Sequence, residues 1–181
     1  MKRILIMLCC VKYLPQKIKR ELAELSASNL YAGEKKQTHI RAIMLDTYFR
    51  EKENRSFYLT LHRNLHVGVV VVDSFEKLHI IKIAAVNSNL QNRGIMRASM
   101  NRIIDDSHGK ILVVKTANPR MGSLLFKSGF IICNDEINHN ETFKNSIVEY
   151  QQQEGICLNG SIIPYNELSM KNFTPALQKG T

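Results

Sequence analysis

The chain reads as an α/β (α+β) domain in which a mixed sheet carries helices on both faces. Three observations predict this. Over residues 78–133 buried-strand and helical patterns alternate in the order strand–helix–strand–helix–strand, which is an α/β unit. Before it, two helical patterns lead into an antiparallel hairpin. A length of 181 residues suits one such domain, and a hydrophobic fraction of 44% argues against disorder.

Lys2-Arg3 and the apolar stretch to Cys10 superficially match a signal peptide. The run is short, however, and no small-residue cleavage site comes after it, so a first strand or buried amphipathic start is expected. Residues 16–25 carry Ile18, Leu22 and Leu25 on one helical face. Residues 38–50 read as a second helix, with Thr38 as a cap and Ile40, Ile43, Met44 and Tyr48 inward. Residues 57–62 and 66–73 are strands joined by a hairpin connection at Arg63-Asn64. Residues 78–86 form a third strand, apolar except for His79 and Lys82, and Asn87-Ser88-Asn89 breaks it. A helix opens from Leu90 with Ile95, Met96, Met100, Ile103 and Ile104 at helical spacing, and 110–116 is the next buried strand. Asn118-Pro119 starts another helix, Asn as N-cap and Pro in the first turn. That helix carries Met121, Leu124, Leu125 and Phe126, and Gly129 stops it. Residues 130–133 and 146–151 read as a last pair of strands.

Composition narrows the function classes. No apolar run approaches the roughly 20 residues of a membrane span. Cys9, Cys10, Cys133 and Cys157 have neither the spacing of a disulfide framework nor a C-x-x-C zinc signature, so reduced thiols, a cytoplasmic location and no metal are expected. The net charge of +9 lies mostly in residues 1–63, with 13 Lys and Arg against 6 Asp and Glu, while the remainder has 12 against 10. Clustered basic residues attract an acidic acceptor, RNA or DNA; a plain solvated surface is the other explanation. No zinc finger, RNA-binding signature or basic–aromatic alternation accompanies the charge.

The chemistry concentrates where the third strand runs through Gln91-Asn92-Arg93-Gly94-Ile95-Met96 into a helix. A helix start leaves N–H groups unpaired and carries partial positive charge, which suits a phosphate. Gly94 lets the backbone approach a ligand closely, and Arg93 and Arg97 either add charge or face water.

These residues resemble the acetyl-CoA signature of the GNAT superfamily of acyl-CoA-dependent N-acetyltransferases. In that signature a strand ends in Ala-Val, then a short loop and Gln/Arg-x-x-Gly-x-Gly/Ala open a helix. Here Ala85-Val86 end the strand, and Gln91 and Gly94 hold the first two motif positions. Met96 stands where the family has Gly or Ala; it either crowds the pyrophosphate or points sideways. Downstream, Thr116-Ala117-Asn118 and the stretch from Leu124 to Gly129-Phe130 are similar to the family's Asn, aromatic residue and terminal Gly-Phe. The resemblance covers residues 55–151 within a domain of 1–151, and leaves 152–181 as a C-terminal extension of unknown role.

The resemblance implies a GNAT-like, mostly antiparallel sheet whose strands 78–86 and 110–116 form a splayed parallel pair. It implies that Ala84, Ala85, Val86, Gln91, Asn92, Arg93, Gly94, Ile95, Met96, Asn118 and Phe126 bind the coenzyme, with Arg120 and Ser123 nearby. It implies an oxyanion donor at the Val86 N–H and direct attack by a primary amine on acetyl-CoA. Lys82, on the face of Ala84 and Ile80, is either a base or acceptor-orienting cation, or a salt-bridged structural lysine. His79 faces the other way, nearer an edge. The family's acidic tyrosine is replaced by Phe126, which either lines the thiol channel or is a core aromatic; the candidates to take its place are Tyr150, His66, His139 or a water. The implied function is N-acetylation of a small-molecule or peptide amine by a monomer or homodimer. The alternatives are a basic protein acting on nucleic acid or translation components, and an inactive coenzyme-binding module.

Overall fold

Strands β1 (Met7–Val11), β2 (Arg55–His62), β3 (Leu65–Ser74), β4 (Leu78–Val86) and β5 (Ile111–Lys115) and helices α1 (Gln16–Leu30), α2 (Glu34–Ile43), α3 (Ile95–Asp106) and α4 (Pro119–Lys127) come in the chain order β1-α1-α2-β2-β3-β4-α3-β5-α4. They are succeeded by the two-residue strands β6 (Cys157–Leu158), β7 (Ser161–Ile162) and β8 (Met170–Lys171). This computed structural model describes residues 5–30, 34–76, 78–107, 110–115, 119–128, 130, 145, 157–158, 161–162 and 170–171. The main sheet has the order β1-β2-β3-β4-β5-β8; it is mixed and mostly antiparallel, with β4 and β5 parallel. No helix among the described residues is long and apolar enough to cross a membrane. The expected strands at 130–133 and 146–151 fall outside the described residues, apart from Phe130.

The chain divides into two units, one of Met1–Asp73 with Ile81–Ile103 and one of Ser74–Ile80 with Ile104–Thr181. The first is a two-sided sheet. Because strand side chains alternate, Phe57, Leu59, Val69, Val71 and Ala85 line one face, where they pack with Leu14, Leu22, Ala23, Met44 and Phe49 of the α1–α2 layer. The register Phe57↔Val71 and Leu59↔Val69 sets that face. The opposite face meets α3, where the buried hydroxyls of Thr60 and Ser99 lie 2.9 Å apart. The β2–β3 connection is the two-residue turn Arg63-Asn64, both at positive φ (51° and 63°), which matches the twist of a tight hairpin.

The second helix differs from its expectation. It begins at Glu34 and ends at Ile43, and Met44–Tyr48 form a π-helical turn closed by the Phe49 N–H on Met44 O at 3.0 Å. Arg55 explains the change. Its Nη1 donates to the carbonyls of Thr47, Tyr48 and Arg50 at 2.8, 3.1 and 3.2 Å, drawing the helix end toward β2. Its other nitrogens form a two-pronged pair with Asp73 at 2.6 and 2.7 Å, and both side chains are buried. Ile43, expected inward, is exposed, while Met44 is buried in the core.

In the second unit Leu78, Ile80, Leu112, Val113, Val114, Leu125 and Phe130 are buried. His79 is buried too, with Nδ1 2.9 Å from Ser107 Oγ, so the expected edge position is corrected: β4 is an interior strand. The α4 stripe is narrower than its apolar run. Leu125 is fully buried, Met121 and Leu124 are partly so, and Phe126 is 72% exposed. Phe126 is therefore no core aromatic. The Phe130 N–H reaches back to Leu125 O at 3.0 Å and closes the helix end. β8 pairs antiparallel with β5 (Val114↔Lys171), and β6 pairs with β7.

Candidate functional site

β4 ends at Val86, and Asn87 sets the path of the chain beyond it. Its N–H donates to Val67 O of β3 at 2.8 Å, extending the ladder by one residue. Its Oδ1 accepts from the Asn89 N–H at 3.0 Å, which turns the chain into the 3-10 segment Ser88–Leu90. The Leu90 N–H to Asn87 O bond (2.9 Å) and the Gln91 N–H to Ser88 O bond (3.3 Å) complete the turn. Asn92 and Gly94 then take φ of 62° and 80°. A right-handed helix cannot pass through left-handed residues, so α3 opens at Ile95 and not at Leu90 where the apolar pattern placed it.

The resulting helix start is suited to an anion. The Ala98 N–H to Gly94 O bond at 3.0 Å begins the helical ladder. The N–H groups of Ile95, Met96 and Arg97 precede it and have no carbonyl within the helix to pair with. Together with the helix dipole they favour negative charge at this end. Gln91, Asn92, Arg93, Gly94 and Arg97 are exposed, and a side chain placed at 94 would meet nothing within 4 Å. The residues present thus fit a phosphate-bearing ligand. Glycine at 94 answers first to its positive φ, and second to the open space beside it.

Beneath the loop, Val67, Val86 and Ile95 form a buried cluster against which Leu90 and Met96 pack. Met96 therefore points sideways into apolar packing, the second of its two expected outcomes. Ile83 and Ala85 belong to the core under α1 and α2, whereas Val86 packs with Ile95 of α3. Alternation then places Lys82 and Ala84, both half-buried, on the α3 face with Val86.

Two contacts in this unit carry no sequence motif. The Gln91 Nε2 donates to Asn29 Oδ1 at 2.7 Å, tying the loop to the end of α1 across 62 residues of chain. His66 Nδ1 lies 3.6 Å from Glu21 Oε2, on the wall of a cavity of about 650 Å³ that Leu25, Val67 and Asn87 also line. Among the basic residues of the first 63, Lys19 pairs with Glu51 and Arg41 with Glu24, each at 2.7 Å. Burial, and next the neighbouring Cys10, push the Cys9 thiol above its usual range, which keeps it protonated and a poor nucleophile.

Of the other expected residues, Arg120, Ser123 and Phe126 are exposed on α4. Asn118, His139 and Tyr150 lie outside the described residues. Among the described residues no group of three or more His, Cys, Asp or Glu is arranged to hold a metal ion.

No protein-family model and no curated protein sequence matches the chain. Solved structures do. A GNAT family acetyltransferase from Elizabethkingia anophelis, crystallised with acetyl-CoA, superposes with a TM-score of 0.50 at 23% identity over 71% of this chain and 78% of its own. The ribosomal-protein-S18-alanine N-acetyltransferase of Escherichia coli gives 0.53 at 12% identity, covering 71% and 80%. A GNAT family acetyltransferase from Staphylococcus aureus gives 0.51 at 15% identity, covering 71% and 86%. At these identities the likeness is one of fold.

Proposed function

We propose, from the GNAT fold that this chain adopts, that it moves an acetyl group from acetyl-CoA to a primary amine by direct attack. The observation that carries the proposal is the turn from β4 into α3. There an exposed loop with Gly94 at φ 80° presents the unpaired N–H groups of a helix start, flanked by Arg93 and Arg97. Acetyl-CoA supplies the activated acyl carbon and the thiolate leaving group.

The chain's own residues do the rest. Gln91 to Met96 hold the pyrophosphate through backbone N–H groups, and Ala84 and Ala85 offer backbone polar groups to the pantetheine arm. The Val86 N–H donates to the thioester carbonyl oxygen as charge builds on it. The amine nitrogen bonds to the carbonyl carbon and loses a proton, which the neutral form of Lys82 accepts; the carbon–sulfur bond breaks and the departing sulfur takes a proton from water. The acceptor is a small-molecule or peptide amine, the latter class suggested by the alanine N-acetyltransferase whose fold the chain shares.

Calorimetric titration with acetyl-CoA and a thiol-release assay with a panel of amines test this. Binding together with thiol release on amine addition is the expected result. Binding without release from any amine would favour a coenzyme-binding module without catalysis, a second possibility raised by Phe126, whose side chain has no proton to donate. No binding at all removes both. Replacing Lys82 by Met tests the proton acceptor: a loss of about 100-fold or more in kcat with acetyl-CoA affinity retained is expected.

A further inference from the structure

The end of α1 is the least obvious part of the loop's environment. Asn29 is held in two directions. Its Nδ2 donates to Leu25 O, one turn back on its own helix, at 2.7 Å. That bond orients the carboxamide so that Oδ1 faces outward, where it accepts from Gln91 Nε2 at 2.7 Å. Ser28 Oγ donates to the same Leu25 carbonyl at 2.8 Å, so the last turn of α1 is pinned where Asn29 leaves it.

Gln91 is the first residue after the 3-10 turn, and Asn92 and Gly94 behind it are both left-handed. A segment with two left-handed residues has few helical or ladder hydrogen bonds to hold it. A side-chain tether at its first residue therefore removes a large share of its conformational freedom.

We propose that Asn29 is a positioning residue for the anion-binding loop: it holds the Gln91 carboxamide and so keeps residues 91–94 in the form that aims the α3 N–H groups at a phosphate. This rests on the coenzyme assignment made above for the loop. The ordering is present before the ligand arrives, so the ligand does not have to supply it.

The test is a double-mutant cycle on the full chain with coenzyme A as the probe, together with backbone ¹⁵N relaxation of the ligand-free protein. Asn29→Ala and Gln91→Ala should each raise the Kd by about 3- to 10-fold, the size of one modest hydrogen bond. The double variant should be no worse than either single one, because both remove the same tether. Exchanging the two side chains, Asn29→Gln with Gln91→Asn, conserves the pair and should restore the Kd to within about twofold. In Asn29→Ala the order parameters of residues 91–94 should fall without ligand, and kcat at saturating acetyl-CoA should stay near that of the natural chain. Additive Kd effects, or unchanged Kd with unchanged order parameters, overturn the proposal. A lowered Tm at unchanged Kd also overturns it, by confining Asn29 to α1. If the natural chain binds no coenzyme A, the coenzyme assignment fails and takes the tether's role with it. Binding by the natural chain with an additive cycle sinks the tether alone.

Discussion

At the scale of single residues, Gly94 shows how one position answers to two demands. Its φ of 80° disfavours any side chain, whether or not a ligand is bound, and its open surroundings leave room for one. Three substitutions separate the demands. Gly94→Ala should cost about 1–2 kcal/mol of stability from backbone strain alone, read by denaturant unfolding. Gly94→Asn should cost less, because Asn tolerates the left-handed region. Gly94→Asp should weaken coenzyme A binding well beyond Gly94→Asn, since it adds negative charge beside the helix start. Equal affinities for the Asn and Asp variants would mean that no anion sits there. Gly94 and Gln91 were legible in the sequence as a motif. The direction of Met96 was not, because its apolar spacing pointed to packing while its motif position pointed to the pyrophosphate, and only the packing of α3 on β3 and β4 decides between them.

At the scale of elements, the buried Arg55–Asp73 pair is the feature the sequence concealed. The two residues sit opposite each other in the β2–β3 register, and Arg55 also gathers three carbonyls at the end of the π-helical turn. One guanidinium thus joins the sheet to the helical layer. Removing it leaves Asp73 buried without its partner, and breaking such a pair costs about 3–5 kcal/mol. Arg55→Ala should therefore unfold at markedly lower urea concentration, and a shift of under about 1 kcal/mol would show that water or relaxation replaces the pair. A helical window such as 38–50 reads as one regular helix because periodicity contains no term for a distant arginine. The β4 boundaries, by contrast, were legible in full, since a run of apolar residues ending at Asn87 carries its own stop signal.

For the whole molecule, coenzyme binding should act as a stability term. A ligand that binds the folded chain alone stabilises it by about 2.7 kcal/mol at a concentration of 100 times Kd, so Tm should rise with acetyl-CoA concentration. A Tm independent of acetyl-CoA up to millimolar concentrations would contradict the proposed function. The division into two units falls inside β4, between Ile80 and Ile81, so a single strand serves both. Lys82, Ala84, Ala85 and Val86 belong to the first unit with the loop Gln91–Met96, and Phe126 belongs to the second with α4.

The sequence alone determined the order of strands and helices from β1 to α4, the limits of β4, and the glycine-bearing turn at the head of a helix. These are local properties, set by the spacing of apolar residues and by turn chemistry over a few positions. Only the tertiary structure decided that Met96 packs inward, that Phe126 is exposed, that Arg55 reshapes the end of α2 and that Asn29 holds Gln91. The physical reason is separation along the chain: the Arg55–Asp73 contact spans 18 residues and the Gln91–Asn29 contact 62. Such pairs exist only because strand order and helix packing bring their elements together, and no local pattern encodes that meeting.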